Sequence, residues 1–262
     1  IDDMLVDDCA LPKFPNLEKI LINYGNVGMD LTPKDYEKFG NFRNFFNAPK
    51  LNRLEIYIPN SDHIGVEFSS LKSNKELKEL KIFSLNPKFV KDISKLKSLT
   101  SLEITLMDDK NKVTEKDFEF LKSLKNLKKI KISGGYISSV LINFKNVITF
   151  LNKDIEEVSL DIVYLEDSHI VAYECIKEIN KSLKNLKKLT IDISSVMSDN
   201  VESYNNYDVK LKFAAGSGHG NYFDKITKEK STNTKYQFNF DLKNLNNLKK
   251  LEEFTFRNTG VF

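Results

Sequence analysis

The chain has 262 residues, of which 40 are Lys or Arg and 37 are Asp or Glu, for a formal net charge of +3. With 40% hydrophobic residues, 29% charged residues and only 10 Gly and 6 Pro, it is neither a disordered nor a collagen-like chain. Charges that nearly cancel argue against a dedicated nucleic-acid binder, and no apolar run reaches the roughly 18 residues of a membrane span.

Taken in chain order, one phrase recurs: an apolar residue, two polar, one apolar, one polar, one apolar. It reads Leu17-x-x-Ile20-x-Ile22, then Leu51-x-x-Leu54-x-Ile56, Leu77-x-x-Leu80-x-Ile82 and Leu99-x-x-Leu102-x-Ile104. It returns as Leu127-x-x-Ile130-x-Ile132, Ile155-x-x-Val158-x-Leu160, Leu186-x-x-Leu189-x-Ile191 and Leu251-x-x-Phe254-x-Phe256. A weaker candidate is Val209-x-Leu211-x-Phe213. Each copy ends in alternation, the mark of a short strand with one buried face. The buried row continues two residues further at Ile58, Leu106, Ile162 and Ile193, so those strands are expected to be longer.

Helical periods lie between the strands. Thr114 with Asp117 three residues on approximates a capping box, after which Phe118, Leu121 and Leu124 share one face. Val140, Phe144, Val147, Ile148 and Leu151 form a second stripe, and Ile170, Tyr173, Ile176, Ile179 and Leu183 a third. Pro33 and Pro87 sit where helices start, a tolerated position. Strand and helix in alternation favour parallel strands. A single repeated unit favours stacking into a solenoid over a doubly wound sheet. Gly25-x-x-Gly28 is only half of a dinucleotide-binding fingerprint.

From about Leu17 to Phe256 the chain resembles the leucine-rich repeat proteins, in particular those with helices on the convex side. The resemblance implies one α/β domain over 1–262: a horseshoe solenoid with a parallel β-sheet on the concave side. It also implies that the concave face binds another protein. The family's asparagine ladder is missing: Gly25, Pro59, Leu85, Met107, Gly135, Val163, Ser194 and Thr259 stand in its place. The spacing of the phrases, from about 22 to over 30 residues, makes the helical side irregular.

Aligning the copies places the outward strand residues in columns. Glu55, Lys81, Glu103 and Lys131 alternate in sign on strands about 4.8 Å apart, so they are expected to pair sideways. Arg53 falls beside Glu79, and Lys129 beside Glu157. The next column holds the adjacent aromatics Tyr57 and Phe83, then Asp161, Asp192 and Arg257. These ten residues (Arg53, Glu55, Tyr57, Lys81, Phe83, Glu103, Lys131, Asp161, Asp192 and Arg257) are the candidate binding face. Two aligned aspartates fall short of the six to eight oxygen ligands of a calcium site, so no metal is expected there.

Residues at about 196–235 break the pattern and are rich in Ser, Asn, Gly and Tyr. This irregular insertion is expected to help recognition, with Gly216–Asn221 as a hairpin tip. His63, His169 and His219 lack a neighbouring nucleophile motif. Cys9 and Cys175 cannot make a disulfide framework or a structural zinc site, and are expected as thiols packed like small apolar residues. The sequence starts at Ile1, so the lack of a visible signal peptide leaves localisation open. The expectation is a non-enzymatic, cofactor-free, monomeric scaffold that binds a protein partner, without nucleic acid and without membrane insertion. Rival readings are the substrate-recognition part of a larger enzyme, such as an effector or ligase, and a surface adhesin.

Overall fold

The computed structural model describes residues 14–23, 48–57, 71, 74–83, 85, 87–106, 113–134, 142–164, 168–196, 207–212 and 245–261. Its centre is one nine-stranded sheet. The strands are β1 (Lys19–Asn23), β2 (Arg53–Tyr57), β3 (Glu79–Phe83), β4 (Ser101–Leu106) and β5 (Lys129–Gly134). They continue with β6 (Glu157–Tyr164), β7 (Lys188–Val196), β8 (Tyr207–Lys212) and β9 (Glu253–Val261). Their order is β1-β2-β3-β4-β5-β6-β7-β9-β8. Eight strands, β1 to β7 and β9, run parallel, each beside its predecessor. This is the arrangement of an α/β chain consistent with a repeat solenoid.

Every phrase falls in the same register. Leu54 pairs with Leu80, Leu80 with Leu102, and Leu102 with Ile130. The row continues through Val158, Leu189 and Phe254. A second row runs Ile56, Ile82, Ile104, Ile132, Leu160, Ile191, Phe256. All of these side chains are buried. The first residue of each phrase from Leu51 onward is buried as well, so three apolar rows build one continuous core. Burying a leucine or isoleucine contributes about 1.5–3 kcal/mol.

The backbone repeats as closely. One carbonyl at the second position of each phrase accepts two consecutive N–H groups from the next repeat. Glu18 O receives Asn52 and Arg53, Asn52 O receives Lys78 and Glu79, and Lys78 O receives Thr100 and Ser101. The series continues through Thr100, Lys128, Glu156 and Lys187, the last receiving Glu252 and Glu253, all at 2.7–3.1 Å. Seven successive interfaces thus share one forked bond. It satisfies both donors where the chain turns into the strand.

The missing asparagine ladder has a substitute on the other side of the phrase, just before the strand. Ser98 Oγ donates to Leu77 O at 2.8 Å, Asn126 Nδ2 to Lys97 O at 2.8 Å, and Asn185 Nδ2 to Lys153 O at 3.3 Å. Asn152 reaches furthest: its Nδ2 donates to Leu124 O at 3.0 Å and Leu127 O at 3.1 Å. Leu85, in one expected ladder position, is a core residue.

The helical side is irregular, as the spacing requires. It holds α1 (Pro87–Ile93), a 3₁₀ helix (Glu115–Ser123), α2 (Phe144–Ile148) and α3 (Ser168–Ser182). Pro87 takes the first position of α1. The Asp117 carboxylate accepts from Thr114 N at 2.7 Å and Thr114 Oγ1 at 2.9 Å, and Phe118, Leu121 and Leu124 are buried. The stripe expected to start at Val140 yields only five helical residues, with Phe144, Val147 and Ile148 buried; Val140 lies outside the described residues. On α3 the buried face is Ala172, Cys175, Ile176 and Ile179, continued by Leu183 just past its end. Tyr173 is only half-buried, with the Lys177 ammonium 4.2 Å from its ring centre.

The weak ninth phrase is not a stacked repeat. Its strand, β8, pairs antiparallel with β9 on the outer side, so the chain lays β8 down first and then inserts β9 between it and β7. The rest of the 196–235 insertion lies largely outside the described residues, as do Pro33, Cys9, His63 and His219.

Candidate functional site

Alternation fixes which strand residues leave the core. On β2 the residues Arg53, Glu55 and Tyr57 are half-buried between buried neighbours. Lys81 and Phe83 project from β3, Glu103 from β4 and Lys131 from β5. Asp161, Asp192 and Arg257 take the same side of β6, β7 and β9. All ten candidate residues therefore lie on one face of one sheet.

The face divides into two groups. In the first, Tyr57 and Phe83 are register partners with ring centres 5.8 Å apart and planes tilted by 37°. The Tyr57 hydroxyl donates to Glu55 Oε2 at 3.2 Å, and the Lys81 ammonium stands 5.2 Å from the Tyr57 ring centre. Arg53 Nε donates to Glu55 Oε1 at 2.7 Å, while its Nη1 reaches Glu79 at 3.2 Å. The Tyr57 ring is thus held through its hydroxyl and through one face. A side chain already ordered loses less entropy when a partner arrives, by about 0.5–1.5 kcal/mol.

The sideways charge ladder forms in part. Glu103 bridges Lys81 at 3.2 Å and Lys131 at 3.1 Å, and Lys129 meets Glu157 at 2.8 Å. The expected pairing of Glu55 with Lys81 gives way to a different arrangement. Glu55 turns along its own strand to Arg53 and Tyr57, two residues away on the same face, and Lys81 leans to Glu103 and the Tyr57 ring. A planar guanidinium fork matches a carboxylate better than a single ammonium does.

The electrostatics follow. Partial burial pushes the Glu55 carboxyl up, but hydrogen bonds from Arg53 and Tyr57 and the nearby positive charges hold it below the ordinary carboxylate value. Burial pulls Lys81 down, yet Tyr57 and Glu103 hold it above the usual lysine value.

In the second group, Asp161 and Asp192 are register partners, and Arg257 Nη1 donates to Asp192 Oδ1 at 3.5 Å. Thr105 and Ser133 separate the groups in the same column. Ser133 and Thr255 are buried although their registers place them outward. Thr255 is flanked by Thr190 in β7 and Lys210 in β8. Among the described residues no three of His, Cys, Asp and Glu gather closely enough to hold a metal ion, and no helix is long and apolar enough to cross a membrane.

Sequence reasoning did not find the Tyr57–Glu55 bond or the Lys188–Glu253 ion pair at 3.4 Å. The i, i+2 spacing along one strand is the signal that would have suggested the first. The arrangement offers noncovalent chemistry: two ring faces and fixed charges of both signs on a rigid sheet. No protein-family model matches the chain, and no curated protein matches it significantly.

Proposed function

We propose that this chain is a leucine-rich repeat solenoid that binds a protein partner through the outward, concave face of its sheet, without catalysis and without a cofactor. The single observation that carries this reading is the Tyr57–Phe83 pair, braced by Glu55 and Lys81 on a mostly polar face, with Leu21 exposed beside Glu55. Aromatic side chains held rigid among charges are the residues that dominate binding energy at protein interfaces. Each of the ion pairs around them is partly exposed and worth only about 0–1 kcal/mol, so their main role is to set register and specificity. In this reading Asp161, Asp192 and Arg257 contribute a second, charged contact, and the 196–235 insertion a third.

The test is affinity capture with the intact domain and with a Tyr57→Ala, Phe83→Ala double variant, followed by titration of the captured protein. The expected result is a loss of affinity of at least tenfold with melting temperature nearly unchanged. Unchanged affinity with a sharp loss of stability would assign the two rings to the core and refute the reading. Deleting 213–235 with the same capture list would remove the insertion from recognition.

A further inference from the structure

Because the eight repeat strands are parallel and sequential, the segments that lead into them all lie along one rim of the sheet. Hydrogen bonds join neighbouring segments of this rim. Lys97 Nζ donates to Ser123 O, Lys128 Nζ to Asp154 O, and Lys250 Nζ to Asn185 Oδ1. Of the ten residues that precede each of these strands, the described ones hold 15 lysines, no arginine and 8 carboxylates. That is an excess of seven positive charges, whereas the rest of the chain has 25 basic residues against 29 acidic. The sheet face is neutral by comparison, since its charges are arranged in pairs of opposite sign.

The rim charge is also little compensated. Among the described residues five of the 15 lysines meet a carboxylate, two of them sharing Glu156. Others donate to neutral oxygens, as Lys184 does to Asn180 O at 2.6 Å and Lys50 to Asn16 Oδ1 at 2.9 Å. Such bonds fix the side chain and leave the charge in place. Lys75, Lys78, Lys125, Lys153 and Lys249 are exposed.

We infer that this lysine rim docks the protein on an anionic phospholipid surface, leaving the sheet face free for its partner. Seven inter-strand steps of about 4.8 Å spread the charge over roughly 34 Å. A row in which all 15 described basic residues are lysines suits attraction to a charged plane, because base or phosphate recognition favours the guanidinium fork. Among the described residues of these segments the aromatic rings, Phe14, Phe120 and Phe150, are all at least half-buried, so they offer no exposed stacking platform for single-stranded nucleic acid.

The experiment is co-sedimentation of the full chain with vesicles of phosphatidylcholine alone and with about a third phosphatidylserine, at about 0.1 M salt. A rim triple (Lys75→Gln, Lys125→Gln, Lys153→Gln) is compared with a matched triple off the rim (Lys129→Gln, Lys145→Gln, Lys177→Gln), and circular dichroism verifies that both fold. A variant that fails to fold is replaced by Lys125→Gln, Lys153→Gln or by Lys145→Gln, Lys177→Gln. The expected result is binding only to the phosphatidylserine vesicles, weakened at least tenfold by the rim triple and much less by the other. No binding to either vesicle, or equal loss in both triples, overturns the inference. Tighter binding to a duplex DNA or single-stranded RNA of equal phosphate concentration overturns the assignment to lipid.

Discussion

Asn152 is the side chain on which two repeats most depend for polar closure. Its Nδ2 donates to Leu124 O and Leu127 O, and its Oδ1 accepts from Asp154 N at 2.8 Å. Asn152→Ala removes all three bonds at a half-buried site. An intramolecular hydrogen bond contributes about 0.5–1.5 kcal/mol net, and an acceptor left without its partner adds to the cost. Leu124 O keeps its bond from Leu127 N at 3.1 Å, which limits that second term. The loss is therefore about 2–4 kcal/mol. Asn126→Ala makes the internal control, because Asn126 has one such bond, to Lys97 O, at an exposed position; its loss is about 1 kcal/mol or less. Asn152→Asp keeps the acceptor toward Asp154 N but turns a carboxylate oxygen toward the Leu124 and Leu127 carbonyls, so it is expected to cost at least as much as Asn152→Ala. Urea unfolding with a constant m-value measures all three. An Asn152→Ala variant no less stable than Asn126→Ala would refute the view that this ladder carries the load of the absent asparagine one.

Two further outcomes follow from the side chains. Burial pushes the Cys175 thiol up to about 12, with Glu174 adding to the rise; native protein is expected to resist alkylation at neutral pH until it is unfolded, and rapid labelling of Cys175 in the folded state would contradict its packing. Glu55, Glu156 and Glu174 all titrate below their ordinary value in the folded chain, Glu55 through Arg53, Glu156 through Lys187 and Lys128, and Glu174 through Lys145 and Lys177. A depressed carboxylate contributes stability above its unfolded value of about 4.3 and loses it as pH falls through the folded one. Melting temperature should therefore drop below about pH 4.5, and Glu55→Gln should flatten that part of the curve; an unaltered slope would remove Glu55 from the linkage.

The rows Leu54–Phe254 and Ile56–Phe256 were legible because a two-residue period with one buried face leaves a direct mark in the residue order. The columns of the outward face followed from the same register, since each phrase starts at the same point. The side-chain partners were not legible. Whether Glu55 meets Lys81 or Arg53 depends on side-chain reach and on the shape of the guanidinium fork, both invisible in an alignment of columns. The pairing of β8 outside β9 was hidden for a topological reason: alternation in Tyr207–Lys212 reports a strand and not its direction or neighbour. The helical side was read less well. Five residues of α2 and the 3₁₀ geometry of Glu115–Ser123 reflect connections of unequal length, which set the helix that fits between two fixed strands.

Charge is where composition and architecture part company. A net charge of +3 suggested a surface of mixed sign, but the parallel topology sorts the ions by place. The forked carbonyl bonds hold the strand starts in line, so lysines that precede successive strands accumulate on one rim. On the sheet face β2, β3, β4, β6, β7 and β9 each set a carboxylate within reach of a cation, as Glu103 does for both Lys81 and Lys131. The two surfaces consequently differ in their response to salt. At about 0.15 M ionic strength charges more than roughly 8 Å apart are largely screened, which weakens attraction summed along the rim but leaves the contact between rings at Tyr57 and Phe83 in place. Raising salt from 0.05 to 0.5 M should therefore release the chain from an anionic surface while a partner on the sheet face stays bound. Parallel loss of both would mean that the two surfaces act as one.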